Sequence, residues 1–183
     1  MTEVARRNVM LAALNPFIKS FNTGDFETLV GTIQTRCESD IALRVEEWRC
    51  QGNGRKDMLG FWCLLHEIFP DAILNILERR LRSSLSDQQL RCVEYVCKLA
   101  GTRITTYPIH NIFYSLVADP SLVEQVSATD LTDLVSKHFA QVDPSHFQEQ
   151  NCTYIIEIVL TFSDGDIIQN MFIQMLASSV TNV

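Results

Sequence analysis

Between Thr153 and Phe162 every second side chain is apolar and large: Tyr154, Ile156, Ile158, Leu160 and Phe162 share one face, against Thr153, Ile155, Glu157, Val159 and Thr161 on the other. A period of two is the signature of a strand. A second run, Ile167 to Leu176, follows across Ser163-Asp164-Gly165-Asp166, and an Asp-Gly pair accepts the positive backbone angles of a tight turn. These residues predict a long antiparallel hairpin with one wholly apolar face. Such a face has to be covered, and strands of this length twist strongly, so the expected partner is a set of helices on the concave side of a curved sheet.

The helices lie upstream. Val9, Leu11, Ala12, Leu14, Phe17, Ile18 and Phe21 recur at spacings of three and four, with Pro16 placed to kink or split the run and Asn22-Thr23-Gly24 to stop it. Asp25 is a cap for a second helix carrying Phe26, Leu29, Val30 and Ile33, with Glu27 in its first turn. Ile41, Leu43 and Val45 alternate as a strand; the turn Gln51-Gly52-Asn53-Gly54 then leads to a third helix bearing Met58, Phe61, Trp62, Leu65 and Phe69, closed by Pro70-Asp71. Strands are expected over Ala72 to Arg82 and Arg91 to Ile104, joined by a polar loop at Ser83 to Gln89, with Val93, Tyr95, Cys97 and Leu99 on one face. Tyr107 to Asn151 interrupts the strands. Asp119-Pro120-Ser121 resembles a helix start, Asp143-Pro144-Ser145 repeats that signal, and Thr129 to Phe139 has helical spacing, so two short helices are expected there. The predicted architecture is α+β: a cone-shaped, strongly curved antiparallel sheet wrapped around N-terminal helices, one domain over 1–183 with a helical insertion at about 107–151.

Composition narrows the partners. With 15 Lys+Arg against 22 Asp+Glu, a net charge of −7 and no long basic run, the chain has no electrostatic footprint for a phosphate backbone, so no direct nucleic-acid ligand is expected. No apolar stretch reaches the roughly eighteen residues of a membrane span, since even Tyr154 to Phe162 is broken by Glu157; no membrane partner is expected. The six cysteines, Cys37, Cys50, Cys63, Cys92, Cys97 and Cys152, form no C-x-x-C pair in a chain long enough to fold without bridges. The N-terminal apolar run stops at Asn15-Pro16 without a cleavage site. An intracellular setting, cytoplasm or nucleus, is the expectation.

The order of elements and several local strings resemble the nuclear transport factor two-like superfamily, in particular its SnoaL-like branch. The strings are Phe21-Asn22-Thr23-Gly24-Asp25-Phe26 with Leu29, Asp40-Ile41, Gly54, Phe69-Pro70-Asp71, Gly101-Thr102 and Phe162-Ser163-Asp164-Gly165-Asp166-Ile167. The resemblance implies a cystatin-like cone whose pocket lies between the helices and the concave sheet face, and frequent homodimerisation through the outer sheet face. It also implies functions ranging from cyclases, isomerases and dehydratases to ligand binding and protein association. Fold therefore does not supply function. The segment 107–151 is longer than the corresponding connection in compact members, and either lids the pocket or covers a sheet edge.

Ketone-enolising members resemble one another in an oxyanion-holding Tyr on the first helix and an acid deep in the cone. Here those places carry Phe17 and Phe21, and Lys98, so that machinery does not transfer. Three side chains are candidates for acid/base chemistry. His66 lies one position past the apolar stripe of the third helix; the favoured reading is a helix-edge imidazole bonded to backbone or water, against a general base oriented by Asp71. Glu157 falls on the outer sheet face if the apolar face meets the helices, with Arg79, Arg80, Arg82 or Arg91 as cross-strand partners, and is otherwise a pocket acid. Phe17, Phe21, Trp48, Trp62 and Tyr95 are candidates to line the pocket or fill the core. His110, His138 and His146 have no i,i+4 partner of ligand type, so no metal is expected, and no cofactor loop, nucleophile elbow or Ser/His/Asp arrangement is visible. The leading expectation is a non-catalytic ligand-binding or association module, dimeric and possible as a regulatory domain of a larger protein, with a small hydrophobic ligand. The alternative is a cofactor-free cyclase, isomerase or dehydratase acting in the cone.

Overall fold

Pro16 divides the first apolar run into two helices, α1 (Glu3–Leu11) and α2 (Asn15–Thr23), in a computed structural model that describes residues 2–82, 91–163 and 166–183. Proline at the second position of α2 gives up only an N–H that has no partner in the first turn. Gly24 ends α2 at φ 66°, in the left-handed region open to glycine. Asp25 then caps α3 (Phe26–Arg36), its carboxylate accepting from the Thr28 N–H at 3.0 Å.

The chain continues through β1 (Cys37–Val45), β2 (Cys50–Asn53) and α4 (Arg55–Ile68). The residues expected to form a turn at Gln51–Gly54 are instead a short strand: Cys50 to Asn53 pair antiparallel with Val45 to Ala42. Nothing in Gly52-Asn53 favours a strand locally, so β2 exists because β1 offers it hydrogen bonds. The remaining elements are β3 (Ile73–Arg82), β4 (Arg91–Arg103), α5 (Ile109–Val117), α6 (Ala128–Phe139), a 3-10 turn at Pro144–His146, β5 (Gln150–Phe162) and β6 (Ile168–Asn182). The polar loop expected at Ser83 to Gln89 and the Asp164-Gly165 pair lie outside the described residues.

Among the described residues six strands form one open sheet in the order β2-β1-β6-β5-β4-β3. It is not uniformly antiparallel as expected, because β1 joins β6 in parallel while the other neighbours run antiparallel. The long hairpin β5–β6 carries one member beside β4 and the other beside β1, and the direction of β6 leaves β1 no antiparallel option. Tyr154, Ile156, Ile158, Leu160 and Phe162 are buried against the helices, as the alternation of β5 predicts.

The insertion departs from expectation at its start. Asp119-Pro120-Ser121 opens no helix: Asp119 Oδ1 accepts from the Ser121 N–H at 2.9 Å in a tight turn, and the first helix is α5, before it. α6 and the 3-10 turn begin close to their sequence signals. α5 and α6 pack on α4, and Leu116 and Leu122 crowd Gly60. As a result α4 is buried on both sides, from Asp57 through Leu65 and again at Ile68. The Tyr114 hydroxyl accepts from the Gln51 N–H and donates to the Arg49 carbonyl, so α5 covers the β2 edge of the sheet, one of the two uses foreseen for the insertion.

Candidate functional site

Helix α2 presents Phe17, Ser20 and Phe21 to the interior at positions i, i+3 and i+4. Across from them stands Trp62 of α4, whose ring centroid lies 5.6 Å from that of Phe17 and 6.4 Å from that of Phe21. Phe61 adds an edge contact to the indole at 5.9 Å. Ser20 therefore sits between two rings that both touch Trp62. Ser20 Oγ and Trp62 Nε1 are fully buried, and neither has a hydrogen-bond partner among the described residues. A buried polar atom left unpaired costs on the order of 1–3 kcal/mol, so each of these two atoms, one on α2 and one on α4, is a place where a partner would be stabilising.

The other aromatic candidates sit elsewhere in the core. Trp48 packs with Phe69 and Tyr154, at centroid distances of 5.9 and 6.0 Å, toward the far end of β5. The Tyr95 hydroxyl donates to the Met10 carbonyl at 2.6 Å and ties the centre of β4 to the end of α1. Burial pushes the Tyr95 phenol above its ordinary range. All five candidates are core residues. Phe17, Phe21 and Trp62 come together, while Trp48 and Tyr95 serve other contacts.

The three acid/base candidates do not converge. His66 lies one turn beyond Trp62 on α4, half-buried, with its ring edge-on to Phe21 and Phe26. Its Nδ1 is 2.9 Å from the Phe21 carbonyl; a carbonyl only accepts, so Nδ1 carries the proton in this contact and the lone pair is on Nε2. Nε2 points past Gly24, where an added Cβ would stand 3.2 Å away. Gly24 and Phe26 line a surface cleft of about 370 Å³ against Thr129 and Thr132 of α6. Asp71 is exposed and accepts from the Thr102 N–H at 2.7 Å and the Thr102 hydroxyl at 2.8 Å; those two bonds hold its carboxyl below the usual range. Glu157 lies half-exposed on the outer sheet face, where Gln174 Nε2 donates to it; no direct arginine bond to it is among the contacts of the described residues. Asp71 therefore neither orients His66 nor shares a cavity with Glu157.

Two groups escape a reading of the sequence. Ser20 carries one signal, a hydroxyl interrupting the apolar face of a helix. The other group centres on His138, which has no i,i+4 partner of ligand type in the sequence but gains partners from 19 and 23 residues away, so the expectation of no Ser/His/Asp arrangement does not hold. Its Nε2 is 2.8 Å from Asp119 Oδ2 and its Nδ1 is 3.0 Å from Ser115 Oγ, an arrangement of Ser, His and Asp assembled from α5, the following turn and α6. No local motif encodes it, since the three residues are joined only when the helices pack. Among the described residues no cluster of three or more His, Cys, Asp or Glu side chains has metal-holding geometry, and the six cysteines are free. No helix among them is long and apolar enough to cross a membrane.

The backbone has solved counterparts. A protein from Shewanella denitrificans named for the SnoaL-like polyketide cyclases superposes with a TM-score of 0.51 at 10% identity, over 91% of this chain and 90% of its own. The epoxide hydrolase/cyclase-like enzyme SalBIII, of pyran ring formation in the polyether salinomycin, matches at 0.52 and 11% identity, over 99% and 100% of the two chains. The fold is SnoaL-like. An uncharacterised protein of cystatin-like fold from Caulobacter vibrioides agrees, at a TM-score of 0.53 and 7% identity over 94% and 91%. No family model and no curated protein matches the sequence. At such identities the SnoaL-like likeness reaches the course of the backbone and stops short of side-chain roles.

Proposed function

We propose that the chain binds a small, largely apolar molecule between α2, α4 and the concave face of the sheet. The observation that carries this reading is the pair of unpartnered buried atoms, Ser20 Oγ and Trp62 Nε1. An indole N–H only donates and a hydroxyl does either, so the fitting ligand is apolar in its body and carries a carbonyl or ether oxygen as acceptor. Phe17, Phe21 and Phe61 supply the apolar wall.

Ring closure or isomerisation of that molecule is the second reading, favoured by the likeness of the fold to SalBIII and to the protein named for the polyketide cyclases. Of the acid/base candidates only His66 borders the aromatic layer, so it is the base this reading assigns, with its Nε2 on the Gly24 side of that layer, where the substrate would have to reach it.

The test is native mass spectrometry of the purified chain together with thermal unfolding of Ser20→Ala. A bound mass of a few hundred daltons, the size of a pocket ligand, is expected, with lower occupancy in Ser20→Ala and Trp62→Phe. In ligand-free protein Ser20→Ala is expected to raise the unfolding temperature, because it removes a polar atom that nothing satisfies. A lowered temperature would mean that the hydroxyl has its partner inside the protein, and the binding reading would be withdrawn. The same spectrum counts subunits. Two are expected, joined through the outer sheet face, where Val96, Ile155, Val159 and Phe172 are half-exposed around Glu157.

A further inference from the structure

The contacts of His138 amount to more than a strut between two helices. Asp119 is a carboxylate and only accepts, so Nε2 of His138 must donate to it across 2.8 Å. That fixes the tautomer and leaves the Nδ1 lone pair facing Ser115 Oγ at 3.0 Å, where the hydroxyl donates. The His138 and Asp119 side chains are 8% and 13% exposed, whereas Ser115 is exposed on α5. A nucleophile in hydrogen-bond reach of a base, with the base oriented by a third group, is the general signature of an activated hydroxyl. The order of the imidazole nitrogens is reversed relative to the common serine hydrolases, which leaves the proton bookkeeping unchanged.

The Ser121 N–H, His138 and the Ser121 and Lys137 side chains hold Asp119 down to about 2, so it is a carboxylate throughout the neutral range. Ser121 and Lys137, which both act on Asp119, line a neighbouring groove of about 610 Å³ between the 121–127 segment and α6, with Val123, Val126 and Leu134 as its apolar wall; Ser115, His138 and Asp119 are not among its lining residues. That volume lies within the span of small-molecule sites. Asp130 and Asp133 line it as well, which disfavours an anionic substrate.

We propose that Ser115, His138 and Asp119 form an acyl-transfer site that cleaves small uncharged or cationic esters, independent of the cone interior. Ser115 Oγ bonds to the ester carbonyl carbon while its proton passes to His138 Nδ1. The bond from that carbon to the alkoxy oxygen breaks, and the departing alcohol takes the proton from Nδ1. Water then attacks the acyl-serine, giving its proton to Nδ1, and the acid leaves as Ser115 regains a hydrogen. Asp119 is a positioning residue throughout.

The experiment uses the full chain, an alkyl fluorophosphonate as covalent probe and p-nitrophenyl acetate as substrate. The probe is expected to form an Oγ–phosphorus bond at Ser115 with loss of fluoride, located by peptide mass spectrometry and absent from Ser115→Ala. His138→Gln is expected to slow labelling and ester cleavage at least tenfold. Asp119→Asn is expected to do the same, with partial recovery in Asp119→Glu; a merely structural role for Asp119 would move the unfolding temperature and leave the labelling rate alone. Circular dichroism establishes which variants are folded, and Ser115→Ala removes only an exposed hydroxyl, so that comparison stands if a His138 variant unfolds. Absence of an adduct at Ser115 in the folded wild-type chain, or equal labelling of folded His138→Gln, overturns the proposal.

Discussion

Gly101 on β4 lies so close to Ala72 that a Cβ at position 101 would stand 2.4 Å from the Ala72 Cα. Beside this contact the Asp71 carboxylate takes both the N–H and the hydroxyl of Thr102. The two neighbouring pairs clamp the end of α4, where the chain turns into β3, onto the far part of β4.

Because the clash at Gly101 is with backbone atoms, the space cannot open by rotating a side chain. Gly101→Ala is expected to lower stability by about 1–3 kcal/mol, the range for overpacking. Gly31, in the middle of α3 with nothing within 4 Å of an added Cβ, is the control. Gly31→Ala is expected to raise stability by about 0.5–1 kcal/mol through helix propensity. Urea denaturation of both variants reads the difference, and equal effects would contradict the close approach.

Asp71 is held below the ordinary carboxylate range by the Thr102 N–H and then by its hydroxyl. A depressed folded pKa stabilises the native state above the unfolded value, about 3.9, and that contribution is lost as pH falls through the folded value. Asp71→Ala is therefore expected to lower stability at neutral pH, by an amount that solvent screening keeps small at this exposed site, and progressively less in acid. Unfolding curves across acid pH check this; a gap that stays constant would remove the linkage argument.

Burial pushes the thiols of Cys37, Cys50, Cys63 and Cys97 up to about 12. Here the folded pKa is raised, so the stabilisation is full below the unfolded value, about 8.5, and disappears as pH climbs toward the folded one. Stability is expected to fall steeply between these limits. Cys92, on the outer sheet face, is the one cysteine that is not buried, so a disulfide-exchange reagent at neutral pH should titrate one thiol in the native chain and six after unfolding. Cys92→Ser should abolish the native reaction; its persistence would mean that another cysteine is reachable.

Much of the fold is legible in stretches of a few residues. Gly24 ends a helix because it takes a positive φ, Asp25 starts the next by accepting from Thr28, and the alternation along β5 sorts its buried face. Strand β2 and helix α5 are not legible in the same way. The first depends on a neighbour's free hydrogen bonds, and the second lacks a side-chain cap. Asp119-Pro120-Ser121 misleads for a related reason: its Asx turn serves a tight turn as readily as a helix start. Among the candidate residues, the favoured reading of His66 matches its bond to the Phe21 carbonyl, and Glu157 lies on the outer face with Gln174 as its hydrogen-bond partner and Arg80 near enough to interact with its charge.

The sequence by itself determined most of the helices and strands, the boundary at Gly24-Asp25, the inward faces of β4 and β5 and the absence of a basic nucleic-acid footprint, because those depend on local dihedral preference, side-chain period and summed charge. Only the tertiary structure decided that β6 lies parallel to β1, that α5 and α6 enclose α4, and that Ser20 Oγ and Trp62 Nε1 are buried without a hydrogen-bond partner among the described residues. It also decided that Ser115, Asp119 and His138 meet. Hydrogen-bond satisfaction and close approach are properties of pairs, and the pairs that matter here come from residues far apart along the chain, brought together by burial of the apolar faces that the sequence does display.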